Sequence, residues 1–511
     1  MATDVLYRFP WLVLATALVL TLVGIAGIYA ATAGDDPPPF WDSMAARQLG
    51  WLGAALAVFA LALVPSYTRL AYASYYVYGA SLVVLAVLAF MHRYDLVIPG
   101  FIYPVHGAYS WIHVPGSGRP GMSFQPSELT KIAFIMALAY YLRYRKNYRT
   151  FGGLLMPFLV ALLPTALVLY AADLGTAMLF LPILFLMLFA AGAKGRHLLL
   201  IILMGCLMVP VFYMSLKGYQ RLRIDSWLLA GCAERLHFSL LEGEDAPEQT
   251  SIEGEAEEKA EDGGAEKGAK TGPDREAAPV APTRVRLTDE QKTDLVRDIT
   301  SMWRFKLWQL ASKAAIRRDT TDFGLARGQF FQTFKAEGCS PRSFDALRGF
   351  FGVLQAGPGH QSWQAKIAIG SGGLLGRGWL QGTQTRHRLL PEAHTDFIFP
   401  TLAEQFGLWG AVLIVLLYGL LGLFGVDVSF STSEPFGKLL VVGVVGLFSA
   451  QAFLNISMSI GLMPITGIPL PLMSYGGSSL LASYLALGLL CNVGVRRLFL
   501  IAPSPFEWPE E

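Results

Sequence analysis

Three side chains that can exchange protons stand close together near residue 394. Glu392, His394 and Asp396 lie within five residues, and an apolar run begins directly after them. A carboxylate at the boundary between water and a membrane helix is costly unless it has a partner or a task. Asp396 could act as a general base if a substrate hydroxyl reaches it. Its alternative role is to cap the helix that starts near Phe397, with Thr395 or Asp396 as the N-cap.

A second group of polar side chains opens an apolar stretch near residue 126. Pro126 suits the first position of a helix, where its missing N–H leaves no hydrogen bond unmade. Glu128 and Lys131 are three residues apart, so on a helix they share a face and can form an ion pair. Such a pair inside the end of a membrane helix usually lines a cavity. The alternative is a pair that reaches out to the interface.

Three further segments could help to build a site. Arg221 and Arg223 follow the seventh apolar run, and arginine suits bidentate contacts with phosphate, although anchoring to lipid headgroups is the alternative. Residues 464–477 contain three prolines and three glycines, which enforce an irregular backbone. Irregular backbone at membrane depth must be buried in protein or line a wet cavity. Asp173, in a tight turn between two apolar runs, is predicted to be a helix N-cap.

The composition of the chain indicates a membrane protein. Of its 511 residues 53% are hydrophobic and 15% are charged, and the mean hydropathy is +0.45. A soluble domain carries about 25% charged residues. The 4 cysteines fit no metal-binding spacing. The chain contains no Walker A loop, dinucleotide-binding glycine motif, zinc-protease motif or nucleophile elbow, so the common nucleotide-binding and hydrolase signatures are absent from the sequence.

The apolar runs predict an all-α polytopic membrane protein with about ten transmembrane helices. A span needs about 20 mainly apolar residues, and glycine or proline within a span is tolerated inside a bundle. The first run follows a basic residue and resembles a signal peptide, but it is long enough to be an uncleaved first helix. The predicted spans are residues 10–31, 48–66, 72–91, 127–143, 152–172, 174–193, 197–216, 401–425, 436–460 and 474–495.

Basic residues in the short loops predict the orientation of these spans. Lys and Arg cluster at 143–149, at 194–196 and at 496–497, and alternation of the spans puts all three clusters on one side. That side is the cytoplasm, so both termini are predicted to be cytoplasmic. The residues near 394 then face the outside, where ATP and sugar nucleotides are not present. Any reaction there needs a substrate that is already activated, such as a lipid-linked one.

The predicted domain organisation follows from the spans. Residues 1–216 hold helices one to seven, 217–400 form a large extracytoplasmic loop, 401–497 hold helices eight to ten, and 498–511 are a cytoplasmic tail. Within the loop, residues 242–283 are rich in Glu, Ala, Gly, Lys and Pro, a composition typical of a disordered linker. Cys232 and Cys339 flank this linker on the oxidising side, so a disulfide between them is an open option.

Six motifs together resemble the SEDS family, which contains the FtsW, RodA and SpoVE proteins of bacterial elongation, division and sporulation. The resemblance covers about residues 10–225 and 357–497. The motifs that carry it are FQPSEL-x-K at 124–131, DLGT at 173–176, YQRLR at 219–223, QS…IAIGSGG at 361–373, LPEAHTDFIF at 390–399 and GIPLPLMSYGGSS at 467–479. The glycine-rich segment before Gln384 and the GIPLPL motif look more like the elongation members, whereas Ala393-His394 looks more like the division members.

The resemblance implies a peptidoglycan glycosyltransferase of the bacterial cytoplasmic membrane. Such proteins polymerise lipid II on the outer face and act with a class B penicillin-binding protein and other elongation or division proteins. The essential aspartate of the family falls on Asp396, which implies a general base for an inverting reaction. The predicted substrate-binding residues are Trp111, Gln125, Glu128, Lys131, Arg221, Arg223, Glu392, His394, Ser474 and Ser478. A divalent cation, Mg²⁺ or Mn²⁺, could assist the departing diphosphate; an organic cofactor and a nucleic-acid partner are not expected.

Two departures from the family pattern leave other functions open. Ser110 stands where the family usually has an arginine, and the insert at about 231–356 is much longer than the usual loop. A lipid II flippase would suit ten spans with broken helices and intramembrane charge, although no inverted halves are visible. A scaffold that recruits a transpeptidase without chemistry is the other alternative, and it predicts that Asp396 and Glu128 can be replaced.

Overall fold

Long apolar helices make up most of the chain that the structure describes. The computed structural model describes residues 9–215 except 35–36, 95, 99–100, 104–108, 114–122, 146–148 and 172, then 224, 227 and 358–496. These residues belong to one unit, built from Met1–Trp227 and Pro358–Glu511. Several predicted features lie outside the described residues: the linker, the cysteines that flank it, Arg221, Arg223, the whole insert at about 231–356 and the C-terminal tail.

The helices are numbered here in chain order, counting the described residues only. Their bounds are α1 Trp11–Ala33, α2 Met44–Leu63, α3 Tyr67–Tyr94, α4 Pro126–Leu142, α5 Leu155–Tyr170, α6 Leu174–Ala191, α7 Gly195–Ser215, α8 Pro358–Gly372, α9 Thr383–Arg386, α10 Ile398–Phe430, α11 Pro435–Ser459 and α12 Gly477–Arg496. Short 3₁₀ turns at Phe40–Asp42 and Gly152–Leu154 precede α2 and α5. A two-residue antiparallel pair, β1 Ile112–His113 with β2 Ser123–Phe124, lies before α4.

The predicted all-α polytopic architecture is confirmed. Each of the ten predicted apolar segments coincides with one helix, and eight of these helices are long and apolar enough to cross a membrane. Helix α4, with 17 residues, is shorter than these eight. In α7 the described apolar part is Gly195–Val209. Because a helix satisfies its own backbone hydrogen bonds, apolar runs of this length form helices in lipid.

Helices α4, α11 and α12 form the middle of the bundle. Helix α4 is apolar on nearly all sides after its first turn, and a helix with that pattern is buried. Phe134, Ile135 and Leu138 have no exposed surface, and Phe134 meets Phe180 of α6 edge to face. The ion-pairing residues of the first turn therefore lie on a helix that is surrounded by protein.

Different loops lie at the two ends of the bundle. At one end, Arg496 donates hydrogen bonds to the carbonyls of Leu63 and Val64, and Asn492 donates to those of Ala62 and Pro65. At the other end, the end of α1 shares a cavity with residues 384–394. The orientation of the spans that the basic residues predict likewise places these two groups of loops on opposite sides of the membrane.

The irregular segment between α11 and α12 is buried inside the bundle, as its proline and glycine content requires. Ile468, Leu470 and Met473 are each at most 2% exposed. Met473 packs against the middle of α1, where a Cβ on Gly24 would lie 2.4 Å from the Met473 Cα. Tyr418 of α10 donates a hydrogen bond to the Pro471 carbonyl. Most of this backbone is therefore enclosed by protein, whereas Gly467 is exposed.

The segment between residues 358 and 400, the last part of the predicted loop, packs closely against α10. It contains α8 and α9, and α10 begins at Ile398, inside the stretch assigned to the loop. Glycines allow α8 and the following turn to press on α10: a Cβ on Gly372 would lie 2.2 Å from the Ala403 carbonyl oxygen, and one on Gly376 would lie 2.0 Å from that of Gln405. These contacts join parts of the chain that the local sequence does not connect, and they hold the segment against α10.

Candidate functional site

A tight turn holds the main chain of Asp396. The carbonyl of Glu392 accepts hydrogen bonds from the N–H groups of Thr395 at 3.2 Å, Asp396 at 3.1 Å and Phe397 at 3.3 Å. Glu392 adopts a left-handed φ of 52°, which is uncommon for a residue with a side chain. Strained backbone of this kind persists where the surrounding structure enforces it, and it clusters at functional sites.

A buried asparagine connects this turn to the irregular segment before α12. The side-chain amide of Asn455 in α11 donates to the carbonyl of Asp396 at 2.8 Å and to that of Ile468 at 2.7 Å. Asn455 has no exposed surface. The N–H of Tyr475 also donates to the His394 carbonyl, at 2.9 Å. Two loops that are distant in sequence are thus fixed to each other beside Asp396.

The capping alternative for Asp396 is wrong. The N-cap of α10 is Phe397, which makes no side-chain capping bond, so neither Thr395 nor Asp396 occupies that position. The hydroxyl of Thr395 instead donates to the Glu392 carbonyl at 3.2 Å and bonds the Glu392 carboxylate at 3.1 Å. Asp396 itself is half-buried. A carboxylate with a fixed main chain and partial exposure can meet a substrate hydroxyl, which is the geometry that general-base catalysis needs.

The neighbouring side chains give this turn its electrostatic character. The ring of His394 lies with its centroid 5.8 Å from that of Tyr475. Burial lowers the pKa of His394, and the negative charge of Glu392 partly opposes that change. The imidazole is therefore favoured in its neutral form near pH 7, where it can donate or accept a hydrogen bond.

Beside the turn is a cavity of about 400 Å³, which is within the range of small-molecule sites. Both Glu392 and His394 line it, whereas Asp396 does not. Its other lining residues come from the end of α1, the start of α2 and the segment around α9. They are Ala31, Thr32, Pro38, Asp42, Ser43, Met44, Arg47, Gln384, Thr385, Arg388, Leu390 and Ala393.

The predicted ion pair at the start of α4 is present and buried. The Lys131 ammonium lies 2.8 Å from the Glu128 carboxylate, and the two side chains are 1% and 5% exposed. A pair that reached out to the interface would expose its ammonium group, so that alternative is wrong. Breaking such a buried pair costs about 3–5 kcal/mol, because the remaining charge has no compensation.

Gln125 belongs to a hydrogen-bonded group at the same end of α4. Its side-chain amide donates to the Asp173 carboxylate at 2.8 Å. Asp173 caps α6, as predicted, and accepts from the N–H of Thr176 at 3.0 Å and from its hydroxyl at 2.8 Å. A Cβ on Gly175 would lie 2.5 Å from the carbonyl oxygen of Thr466 and 2.9 Å from the side chain of Ile468. The QPSE, DLGT and GIPLPL motifs therefore meet in space.

The other predicted site residues that the structure describes are Ser474, Ser478 and Trp111. Ser474 accepts a hydrogen bond from the Leu470 N–H at 2.8 Å, and its carbonyl accepts one from Gln48. Ser478 is buried at the start of α12. Trp111 is half-buried next to β1. Ser110, which stands in place of the family arginine, is buried and contacts the Ala171 carbonyl at 3.5 Å.

Glu404 is a central residue that the sequence argument missed. It lies in α10 with no exposed surface. One carboxylate oxygen accepts from the Gln384 N–H at 2.8 Å and contacts the Thr383 hydroxyl at 3.4 Å; the other accepts from the N–H and hydroxyl of Thr385 at 3.1 and 2.7 Å. An ionisable residue inside an apolar span is itself a signal of function, and this signal was available in the sequence.

The described residues do not form a metal site built by protein side chains. No group of three or more His, Cys, Asp or Glu side chains is arranged to hold an ion within the described part of the chain. The predicted divalent cation therefore finds no set of three such side chains among the described residues.

The model of the family described as "Cell cycle protein", which comprises FtsW, RodA and SpoVE, matches residues 8–231 and 349–497. The chain belongs to the FtsW/RodA/SpoVE family. The matched residues include the α4 ion pair, the Asp173 cap, the Glu392 turn and Asn455, so the site described above lies within the shared part of the family. Residues 232–348, which contain most of the insert, are outside the match.

Two of three similar proteins align over nearly the whole chain. Peptidoglycan glycosyltransferase RodA of Treponema pallidum is 28% identical over 96% of this chain and 98% of its own length. Probable peptidoglycan glycosyltransferase FtsW of Geobacter sulfurreducens is 28% identical over 96% of each. Peptidoglycan glycosyltransferase MrdB of Escherichia coli is 43% identical over 28% of this chain and 39% of its own length.

Solved structures share the fold. A chain of a peptidoglycan synthase complex, from a study of how polymerisation and crosslinking are coordinated, matches with a TM-score of 0.58 at 24% identity and covers 95% of this chain and 97% of that one. The rod shape determining protein RodA of Thermus thermophilus matches with a TM-score of 0.51 at 21% identity over 96% of this chain and 97% of that one. At these identities the likeness concerns the fold.

Proposed function

We propose that this membrane protein is a peptidoglycan glycosyltransferase that polymerises lipid II at the outer face of the cytoplasmic membrane. The observation that carries the proposal is the fixed, half-buried Asp396, whose main chain is held by the Glu392 turn and by Asn455. Relatives that bear the name of this activity support it. The elongation role is the preferred one, with cell division as the alternative.

In the proposed reaction, Asp396 acts as the general base. It accepts the proton of the 4-hydroxyl of the acceptor's N-acetylglucosamine while that oxygen attacks C1 of the donor's N-acetylmuramic acid. A β-1,4 bond forms, the C1–oxygen bond to diphosphate breaks, and the configuration at C1 inverts. Diphosphate leaves as an anion, so one carboxylate suffices and the leaving group needs cations rather than an acid. A divalent cation bound through the diphosphate itself is one such source.

The proposed surroundings of the reaction follow from the predicted topology. With both termini in the cytoplasm, the end of the bundle that carries Asp396 faces outward, where lipid II is presented. The ion pair of Glu128 with Lys131 and the amide of Gln125 stabilise that end. A class B penicillin-binding protein is the proposed partner, because a nascent glycan strand still requires crosslinking.

The experiment compares wild type with Asp396→Asn, each purified with and without a class B penicillin-binding protein. Labelled lipid II is added with Mg²⁺ or with a chelator, and the products are resolved on a gel. A glycan ladder from wild type that is lost in the variant is expected. A ladder from both proteins would remove Asp396 as the base. The absence of a ladder even with the partner would favour a flippase or a scaffold, and reconstituted vesicles would then test movement of lipid II.

A further inference from the structure

Tyrosine rings surround one arginine at the end of the bundle that carries Arg496. This arginine, Arg143, directly follows α4. Its guanidinium carbon lies 4.0 Å from the ring centroid of Tyr140 and 4.6 Å from that of Tyr144. The ring of Tyr72, on the neighbouring helix α3, is 5.7 Å away. These three tyrosines, here called the tyrosine cage, hold a cation between α3 and α4 through cation–π contacts.

Further aromatic contacts fix the cage in place. The ring of Tyr140 meets that of Tyr72 at 6.2 Å and that of Tyr75 at 5.1 Å, both edge to face. On its other side it meets Phe436 of α11 edge to face at 6.3 Å. A guanidinium held by rings that are themselves packed has little freedom to lose when it binds a ligand, which favours binding.

The positive charge at the cage is not neutralised by protein. Among the residues that the structure describes, no carboxylate forms an ion pair with Arg143 or Arg145. The guanidinium of Arg145 lies over the ring of Tyr141 at 4.7 Å, and the charges of both arginines act on the Tyr75 hydroxyl. A guanidinium that stacks on a ring by its face keeps the N–H donors on its edge available, and these match the oxygens of a phosphate.

The position of the cage favours a lipid as the source of this phosphate. Tyr72 and Tyr76, which are 67% and 82% exposed, lie in the first three turns of α3. At 1.5 Å per residue, Tyr76 is about 14 Å from the start of the helix. Exposed apolar side chains continue along the same face of α3, at Val83, Val87 and Phe90. Tyrosines are typical of the headgroup level of a membrane and apolar side chains of the acyl level, so one lipid molecule matches both parts of this surface.

We propose that the tyrosine cage binds the phosphate of an anionic phospholipid in the cytoplasmic leaflet. Arg143 and Arg145 contact the phosphate, the Tyr72 hydroxyl donates to the headgroup, and the acyl chains lie along α3. Basic pockets between membrane helices on the cytoplasmic side bind anionic headgroups in this way. The dipole of α4 favours a cation after its last turn, but it does not require aromatic rings around that cation. The proposal uses the predicted orientation of the spans and is independent of the proposed reaction.

The test titrates the full-length protein in a neutral detergent with phosphatidylglycerol and counts the bound lipids by native mass spectrometry. Phosphatidylcholine, whose phosphate is neutralised by choline, is the comparison lipid and should bind about tenfold more weakly. Arg143→Gln should lower the affinity for phosphatidylglycerol about tenfold, because it removes the charge-assisted hydrogen bonds to the phosphate. Arg196→Gln is the matched control: it removes the same charge from an exposed position at the start of α7, at the same end of the bundle, and should bind as wild type does.

Each other outcome overturns the proposal. Equal affinity of wild type for the two lipids would mean that the cage does not select an anionic headgroup. An equal loss of affinity in Arg143→Gln and Arg196→Gln would mean that only the general positive charge of this surface attracts the lipid. Displacement of the lipid by millimolar glycerol 3-phosphate would assign the site to a soluble phosphate.

Arg143→Lys guards against a variant that simply fails to fold. It keeps the charge but lacks the planar guanidinium, so it should retain part of the affinity for phosphatidylglycerol. Thermal midpoints of both Arg143 variants in detergent check that the protein is folded. An affinity for phosphatidylglycerol in folded Arg143→Gln that equals that of wild type would overturn the site, whether or not the protein makes glycan.

Discussion

Asp396 and Glu404 are eight residues apart, and the fold holds them in opposite ways. Asp396 is fixed through its main chain, by the Glu392 carbonyl and the Asn455 amide, and it is half-buried. Glu404 is fixed through its side chain, whose two oxygens contact four donors, and it is fully buried. A carboxylate has about four acceptor positions, so Glu404 has none left for a substrate. Asp396 is therefore placed for chemistry, whereas Glu404 shapes the cavity.

The largest expected effect concerns Asp396. Asp396→Asn should lower the rate of polymerisation about 10²–10⁴-fold, which is the usual contribution of a general base. The protein should still fold, because the hydrogen bonds from the main chain of residues 395–397 to Glu392 and from Asn455 to the Asp396 carbonyl do not use the carboxylate. Rates are measured with lipid II and a partner enzyme, and unfolding is followed by tryptophan fluorescence. Loss of the folded protein in this variant would contradict the assignment of Asp396 to chemistry rather than to stability.

Glu404→Ala should act mainly on stability rather than on the chemical step. Removing the carboxylate leaves the buried N–H groups of Gln384 and Thr385 without their acceptor, at about 1–3 kcal/mol each, so the free energy of unfolding should fall by about 2–5 kcal/mol. Denaturation with sodium dodecyl sulfate in mixed micelles measures this change. Glu404→Gln keeps one acceptor oxygen, so its free energy of unfolding should lie between those of wild type and Glu404→Ala. A variant as stable as wild type but without activity would place Glu404 in the chemistry instead.

A smaller loss of stability is expected when a methyl group is added where Gly382 contacts the Glu404 carboxylate. A Cβ at Gly382 would lie 2.5 Å from the Glu404 carboxylate, so Gly382→Ala should push the two segments apart and destabilise the protein by about 1–3 kcal/mol. The matched control is Gly370→Ala, on an exposed face of α8 with no atom within 4 Å. This control should be neutral or slightly stabilising, because alanine favours a helix over glycine. Equal effects at both positions would argue against close packing at Glu404.

The smallest expected effect concerns pH. Because burial lowers the pKa of His394, the unfolded chain binds more protons than the folded one once the pH falls below the ordinary histidine pKa of about 6.5. Stability should therefore decrease from about pH 7.5 to about pH 5.5. His394→Gln should reduce this decrease, as measured by thermal midpoints at both pH values. An unchanged slope in the variant would show that other groups dominate the titration.

The sequence predicted those features that depend on neighbours along the chain. Apolar length predicted the helices, the three-residue spacing predicted the Glu128–Lys131 pair, and the turn before α6 predicted the Asp173 cap. The motif resemblance singled out Asp396, whereas spacing alone left capping as an equal alternative.

Features that depend on how distant segments meet could not be predicted in this way. The acceptor role of Glu404 requires α9 to cross α10, and this crossing depends on glycines that admit close backbone approach. The cavity requires the end of α1, the start of α2 and the segment after α9 to converge. Arg47 and Arg388 carry no local signal of that convergence, because isolated arginines near helix ends are common in membrane proteins.

The amide of Asn455 has a consequence for the evolution of this protein. One nitrogen serves the carbonyls of Asp396 and Ile468, so a single side chain keeps two loops in register. A mutation that shifts either loop also withdraws a hydrogen bond from the other. Substitutions in residues 464–476 that move the Ile468 carbonyl should therefore also disturb the turn at 392–397, and we expect the two loops to change together in evolution.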